Sequence, residues 1–321
     1  MSTSQSLLDA PHIRGCALFL VTALLGCSAK EEAGGDDDAG GGSGLGGSPA
    51  TGGSPATGGS AGTTPDAGSD CPDFSFFVTS QARLFALAEA FNGSTEGFGG
   101  DLRYGESGPG AGLRGADRIC QEIAEQSCAN NGKTWRAFLS VSDDGNGSQV
   151  NAIDRVGNGP WYDRLGRLVA QTRADLIAER PLGADPAIVD DLPNEDGVPN
   201  HAPDGVTEID NHNTMTGSDT NGMLATSSRY STTCLDWQDA TAESSRSSVG
   251  PNVGNTWWGG VTESQPAHHW IYAGHNAAGC RPGAIDPYTD YGFGVGQGDV
   301  NCGTVGCMGG YGGIYCFAER L

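Results

Sequence analysis

Histidines at four positions could do chemistry: His268, His269 and His275 in HHWIYAGH, and His212 in DNHNTMTG. Neutral imidazoles gathered by a fold bind zinc or copper. Alternate residues of a strand face opposite ways, so His269 and His275 share a face only if no bulge intervenes, and His268 opposes them. The plainer reading of each is a hydrogen-bonded or surface side chain. Asp and Asn crowd the loops, which raises calcium. Residues 144–148 (DGNGS) begin like an EF-hand loop, but Gln149 stands where that loop needs glycine and Arg155 where it needs glutamate, so the motif fails. Asp219, Asn221 and His212, with the carboxylates between 185 and 210, are the weak metal candidates. No cofactor is expected, and a structural Ca2+ or Zn2+ is the one ion left open.

Residues 104–109 (YGESGP) echo a serine nucleophile loop, yet the Gly-x-Ser-x-Gly turn between a strand and a helix is missing, and a flexible turn explains the same residues. The glycines of 309–313 (GGYGG) precede a strand-like run, so no helix N-terminus follows to receive a phosphate. The sequence therefore predicts no enzyme. Trp257, Trp258 and Trp270, with His269 and His275 nearby, are the candidate ligand-binding residues, because an exposed aromatic face stacks on a sugar ring or anchors a protein contact. Buried core is the alternative for at least two of the tryptophans. Gly259 and Gly260 make the Trp257-Trp258 pair the better surface candidate.

These residues need a scaffold, and the clearest element is a helix over 113–128 (LRGADRICQEIAEQSC). Ala116, Ile119, Cys120, Ile123 and Ala124 recur there at helical spacing with charges opposite. Residues 73–79 (DFSFFVT) read as a buried strand, and 135–141 (WRAFLSV) alternate like a strand. Residues 161–171 (WYDRLGRLVAQ) read as two short strands around a turn at Gly166, and 313–319 (GIYCFAE) as a last strand. From Pro181 to about Asn213 turn formers punctuate the chain every few residues, which predicts loop.

Composition limits the partners. Among 321 residues, 39 are acidic and 17 basic, a formal charge of -22 that disfavours nucleic acid and heparin-like polyanions. The 53 glycines are about double the usual share, so part of the chain cannot belong to a packed core. Residues 15–26 (GCALFLVTALLG) form an apolar run behind Arg14, too short to span a bilayer and long enough for a signal-peptide core. It ends in Leu24-Leu25-Gly26-Cys27, which resembles the bacterial lipoprotein box and implies lipidation at Cys27. Residues 28–70 hold Leu45 as their single large apolar side chain and include GGSPATGGSPATGGSAG. Such a segment has nothing to bury and is predicted to be a flexible tether with an r.m.s. span of roughly 35 to 40 Å. The expected division is 1–26 signal peptide, 27–70 lipidated cysteine and tether, and 71–321 one folded domain.

Within that domain GLRGADRIC, then TWRAFLS, TGSDTNG, TTCLDW and a terminal IYCFAE resemble the endostatin-like domain, the C-terminal module of collagens XV and XVIII. Bacterial secreted proteins carrying the module are closer still, with a counterpart to DRVGNGPWYDRLGRLVA. The resemblance covers nearly all of 74–320. It implies an α+β, C-type-lectin-like fold: one or two helices on a twisted, mostly antiparallel sheet with long loops. The zinc site of animal endostatin uses N-terminal histidines, and this chain has none between His12 and His201. Its heparin surface needs clustered arginine, and the arginines here are dispersed among carboxylates. The sugar-binding Glu-Pro-Asn and Trp-Asn-Asp of calcium-dependent lectins are also missing, Pro193-Asn194 following Leu192. None of those activities carries over.

With Cys16 in the signal and Cys27 lipidated, eight of ten cysteines remain, an even set suited to an oxidising compartment. The resemblance implies Cys120–Cys316, and a bond from Cys234 to a cysteine shortly before the terminus, Cys280 being the first choice. The remainder gives Cys302–Cys307 and Cys71–Cys128, with connectivity beyond Cys120–Cys316 left open. A thiolate metal site at Cys302 and Cys307 is the rival and lacks a second close pair. The sequence thus predicts a lipid-anchored protein of a bacterial envelope, on the outer membrane or surface, recognising a glycan or a protein through lectin-like loops. Its alternatives are a structural or adhesive protein without a discrete ligand site, and a hydrolase with an unrecognised loop site.

Overall fold

Ten consecutive residues near the C-terminus, Gly310–Glu319, form a strand buried along nearly its whole length. Tyr315 and Phe317 point into one apolar core with Phe76, Val78, Phe138, Trp161 and Trp270. Ile314, Cys316 and Ala318 point into another with Ile119, Cys120, Ile123 and Trp135. A strand covered on both faces is apolar at successive positions rather than at alternate ones, which is the pattern of IYCFA.

The computed structural model describes residues 71, 73–201, 212–227, 231–241, 250–257, 269–274, 277, 279–284, 303–306 and 309–319. The signal peptide, the tether, Cys27, Trp258, His268, His275, Cys302 and Cys307 lie outside them. In chain order the elements are β1 (Phe76–Val78), α1 (Gln81–Asn92), α2 (Ala111–Ser127), β2 (Thr134–Ala137), a 3-10 turn (Ala152–Arg155), β3 (Trp161–Tyr162), β4 (Leu168–Ala170), α3 (Arg173–Leu176), β5 (Asn213–Met215), β6 (Val253–Asn255), β7 (Arg281–Ala284), β8 (Thr304–Gly306) and β9 (Gly310–Glu319). Among the described residues this is a mixed α+β arrangement with few helices and three sheets. None of the described helices is long and apolar enough to cross a membrane.

β9 is the hub. β1 and β2 pair antiparallel to its C-terminal half, with Phe76 opposite Phe317 and Ala137 opposite Cys316. β5 pairs parallel to its N-terminal half, Met215 opposite Ile314, and β6 pairs antiparallel to β5. α2 lays its predicted stripe on this sheet: Ala116, Ile119, Cys120, Ile123 and Ala124 are fully buried. Two glycines let it approach closely. A Cβ on Gly115 would lie 2.1 Å from the carbonyl oxygens of Leu102 and Arg103, and one on Gly112 would lie 2.2 Å from that of Asp236.

β3 and β4 pair antiparallel around Gly166, whose φ of +77° suits glycine in that turn. The strand expected over 135–141 ends at Ala137, because beyond Phe138 the backbone turns to other partners: Ser140 N–H donates to Thr216 and Val141 exchanges both bonds with Val150. Helix α1 was not anticipated. It starts at Ser80, whose hydroxyl accepts the Arg83 amide, and stops at Gly93, at φ +79°, whose amide donates to Glu89.

Among the described residues three disulfides staple these parts: Cys71–Cys128, Cys120–Cys316 and Cys234–Cys280, with Cα atoms 6.6, 5.5 and 5.8 Å apart. The second joins α2 to β9 across 196 residues of sequence. Bonds of this kind mark an oxidising, extracytoplasmic environment.

Candidate functional site

The loop-rich stretch expected after Pro181 builds a site through one buried cation. Arg180 is 8% exposed and donates to the carbonyls of Val189, Asn255 and Thr256. It thereby draws the chain around residue 190 onto the end of β6. There the backbone of Asp191 bridges antiparallel to that of Trp257, and the Leu192 amide donates to Thr256 at 2.9 Å. Thr256 in turn donates through its amide and hydroxyl to the carbonyl of His212, at 2.8 and 3.1 Å.

From Asp191 the chain makes a tight excursion and returns at His201. Pro193 bridges Pro199, and the Asn194 side chain accepts the amides of Asp196 and Val198, closing the turn around Gly197 at φ +76°. Two contacts clamp this excursion to the scaffold. The Glu195 carboxylate, buried in the protein, accepts the amide and hydroxyl of Ser80 at 2.9 and 2.5 Å. Burial pushes its pKa upward against those hydrogen bonds. The Asn200 amide group donates to the Tyr311 hydroxyl at 2.7 Å, which itself donates to the carbonyl of Thr79.

The returning chain sets His201 flat against Trp257, ring centroids 3.2 Å apart and planes 13° from parallel. The His201 amide donates to Asp191 Oδ1 at 3.2 Å. Burial raises the Asp191 carboxyl to about 7, against the lowering effects of the His201 and Asn200 amides and of Arg180. Trp257 and His201 are only partly buried, so a stacked aromatic pair meets the surface beside a carboxyl group that titrates near neutrality. That combination offers a flat apolar platform and a polar group that can accept or donate.

Of the residues singled out from the sequence, Trp257 belongs to this site, and His212 reaches it through its carbonyl. Trp270 is corrected: it is fully buried, its indole N–H donates to Leu176 at 2.7 Å, and its ring packs on Phe138 and Tyr315, so it is core. His269 is also buried. Its Nδ1 accepts the amide of Ile271 and burial depresses its pKa, which makes it a structural acceptor rather than a ligand-binding group. Asp219 spends Oδ1 on the amides of Asn221 and Met223, an Asx turn, and no group of three His, Cys, Asp or Glu residues among the described residues is placed to hold a metal ion.

His201 and Arg180 were not expected from the sequence, and Asp191 stood there only among the loop carboxylates considered for a metal ion. Nothing local marks them, since each acquires its role from a partner far along the chain. A second surface feature, the hollow at the end of α2 lined by Gln121, Glu125, Asn131 and Lys133, is structural: the Gln121 amide group is spent on Glu125, Lys133 and Trp135.

The fold and site together define a disulfide-stapled α+β domain with an aromatic platform at one loop junction. No protein-family model matches the chain, and no curated protein does.

Proposed function

We propose that this chain is an extracytoplasmic binding protein, anchored in a bacterial envelope through lipid on Cys27, that recognises a glycan through the Trp257 platform. The observation that carries the reading is the His201–Trp257 stack beside Asp191. Sugar rings present C–H faces that pack on indole, and hydroxyl groups that bond to a carboxyl group at the ring edge. Three disulfides support export, and the acidic balance turns polyanionic ligands away. We read the domain as endostatin-like and C-type-lectin-like on the order of its sequence motifs, and the Cys120–Cys316 bond between helix α2 and the last strand supports that reading. No catalytic step is proposed.

The test is a glycan array on the mature protein, followed by calorimetric titration of the best hit with the Trp257→Ala variant. At least a tenfold loss of affinity is expected. Binding that is unchanged in Trp257→Ala removes the platform from the reading. Self-association with no glycan bound favours a structural or adhesive role instead.

A further inference from the structure

The segment Asp144-Gly145-Asn146-Gly147-Ser148 fails as a calcium loop and plays no part in the Trp257 site. Its conformation explains what it offers. Val141 and Val150 exchange backbone hydrogen bonds and close the base. Beyond them Asp143 Oδ1 accepts the amides of Gly145 and Gly147 at 2.7 and 2.8 Å, and Asp144 Oδ1 accepts those of Asn146 and Ser148 at 2.8 and 3.3 Å. Each carboxylate uses its Oδ1 on the loop amides, Asp144 Oδ2 faces the Asn146 amide nitrogen at 3.4 Å, and Asn146 and Ser148 are displayed on the surface.

Asn-X-Ser is the acceptor pattern for N-linked glycans on exported chains. It occurs twice here, at Asn92-Gly93-Ser94 and Asn146-Gly147-Ser148. The two differ in ways that matter to a transferase. Asp144 stands two residues before Asn146 and Ala90 two before Asn92, so a transferase with a cation beside its acceptor pocket would tell the two apart. Asn92 is the last residue of α1, its Oδ1 holds the Ser94 amide at 3.0 Å, and the Ser94 hydroxyl is committed to Gly97 at 2.7 Å. Drawing Asn92 into an active site means dismantling a helix cap. Around Asn146 the hydrogen bonds are short-range and solvent-exposed, and the open space at Gly147 leaves that side of the tip unpacked, while Gly145 rests on the Pro109 carbonyl.

We infer that Asn146 is an acceptor for an N-linked glycan. The donor class is an oligosaccharide joined through C1 to a lipid diphosphate on the outer side of the membrane. The Asn146 amide nitrogen forms a bond to C1 as the bond from C1 to the diphosphate oxygen breaks. The bonding pair leaves with the lipid diphosphate, and the nitrogen gives up one proton to the transferase. No electrons are exchanged. The inference does not depend on the glycan-binding reading, because it concerns a different loop and needs only export.

The full-length protein, purified from membranes of the cell that makes it, is digested with trypsin and analysed by tandem mass spectrometry. Residues 137–155 form one tryptic peptide with Asn146 in its single sequon, and residues 84–103 form another carrying Asn92. The expected result is hexose or N-acetylhexosamine mass on 137–155, localised to Asn146, with 84–103 unmodified. Asn146→Gln abolishes it. Asp144→Asn, which keeps an oxygen for the loop amides, lowers occupancy at least tenfold. Finding 137–155 only at its unmodified mass overturns the assignment of Asn146. Undiminished occupancy in Asp144→Asn, or equal modification of Asn92, overturns the selection by Asp144 and loop geometry.

Discussion

The backbone of Asp191 bridges that of Trp257 while its carboxylate accepts the amide of His201, so one residue holds both rings of the stack in place. Holding them costs stability. The Asp191 carboxyl, ordinarily near 3.8, titrates at about 7 when folded because burial disfavours its charge. Between those values the folded protein binds more protons than the unfolded chain, so this contribution is fully present below about pH 4 and is lost as pH rises toward 7. A shift of that size corresponds to an upper bound of about 4 kcal/mol. Asp191→Asn, which cannot ionise, is expected to raise the thermal midpoint at pH 8 and leave it nearly unchanged at pH 4. His269 acts in the opposite sense: burial depresses its pKa, so stability is lost as pH falls below its unfolded value. Comparing variant with parent at each pH cancels that term, and equal midpoint shifts at both pH values would refute the assignment.

Gly115→Ala should destabilise the protein although alanine is the better helix former by about 1 kcal/mol. The added methyl carbon would sit 2.1 Å from two backbone oxygens, of Leu102 and Arg103, and neither can move aside as a flexible side chain would. Forcing α2 away from that loop is expected to cost on the order of 1–3 kcal/mol or more in urea denaturation. A gain in stability would show that α2 lies further from the loop.

Cys120→Ala with Cys316→Ala should be the most damaging of the paired cysteine replacements. Its bond closes a sequence separation of 196, against 57 and 46 for the other two. The chain-entropy argument gives about 5 kcal/mol for the longest and about 4 for each of the shorter ones. Denaturant midpoints of the three double variants, measured under non-reducing conditions, check the order.

Asp117 is a further point of strain if its partners are left alone. On α2, it accepts from Arg155 through both oxygens at 2.8 and 2.7 Å, from Arg136 at 3.0 Å and from the Ala137 amide at 2.9 Å, tying the helix to β2. Asp117→Ala leaves the nearly buried Arg155 without its carboxylate and should cost about 3–5 kcal/mol. Asp117→Asn, which retains an acceptor for the Ala137 amide, should cost less. Chemical denaturation of the two variants separates charge from hydrogen bonding.

One segment shows where sequence reading stops. Cys234, Leu235, Asp236 and Trp237 all adopt positive φ, between +47° and +65°, making a left-handed helical turn from residues that do not favour it. Each costs roughly 1–2 kcal/mol in isolation. The turn persists because Cys234 is bonded to Cys280, the Asp236 carboxylate accepts from Ser142 and Asp143, and the buried Trp237 indole donates to Ser140. TTCLDW contains no glycine to announce it.

By itself the sequence determined the buried stripe of α2, the hairpin turning at Gly166, the last strand and an even set of cysteines after the tether, because each is written in local periodicity, turn chemistry or count; that the last strand is covered on both faces came only with the tertiary structure. It also put Trp257 forward as a surface aromatic. Only the tertiary structure decided that Trp270 and His269 are interior, that Asp191, His201 and Trp257 meet, and which cysteines bond within the described residues. Periodicity reports which face of an element is apolar and says nothing about which distant segment will cover it. Burial, a raised carboxyl pKa and a stacked ring pair all come from that covering, and they exist only once the chain has closed on itself.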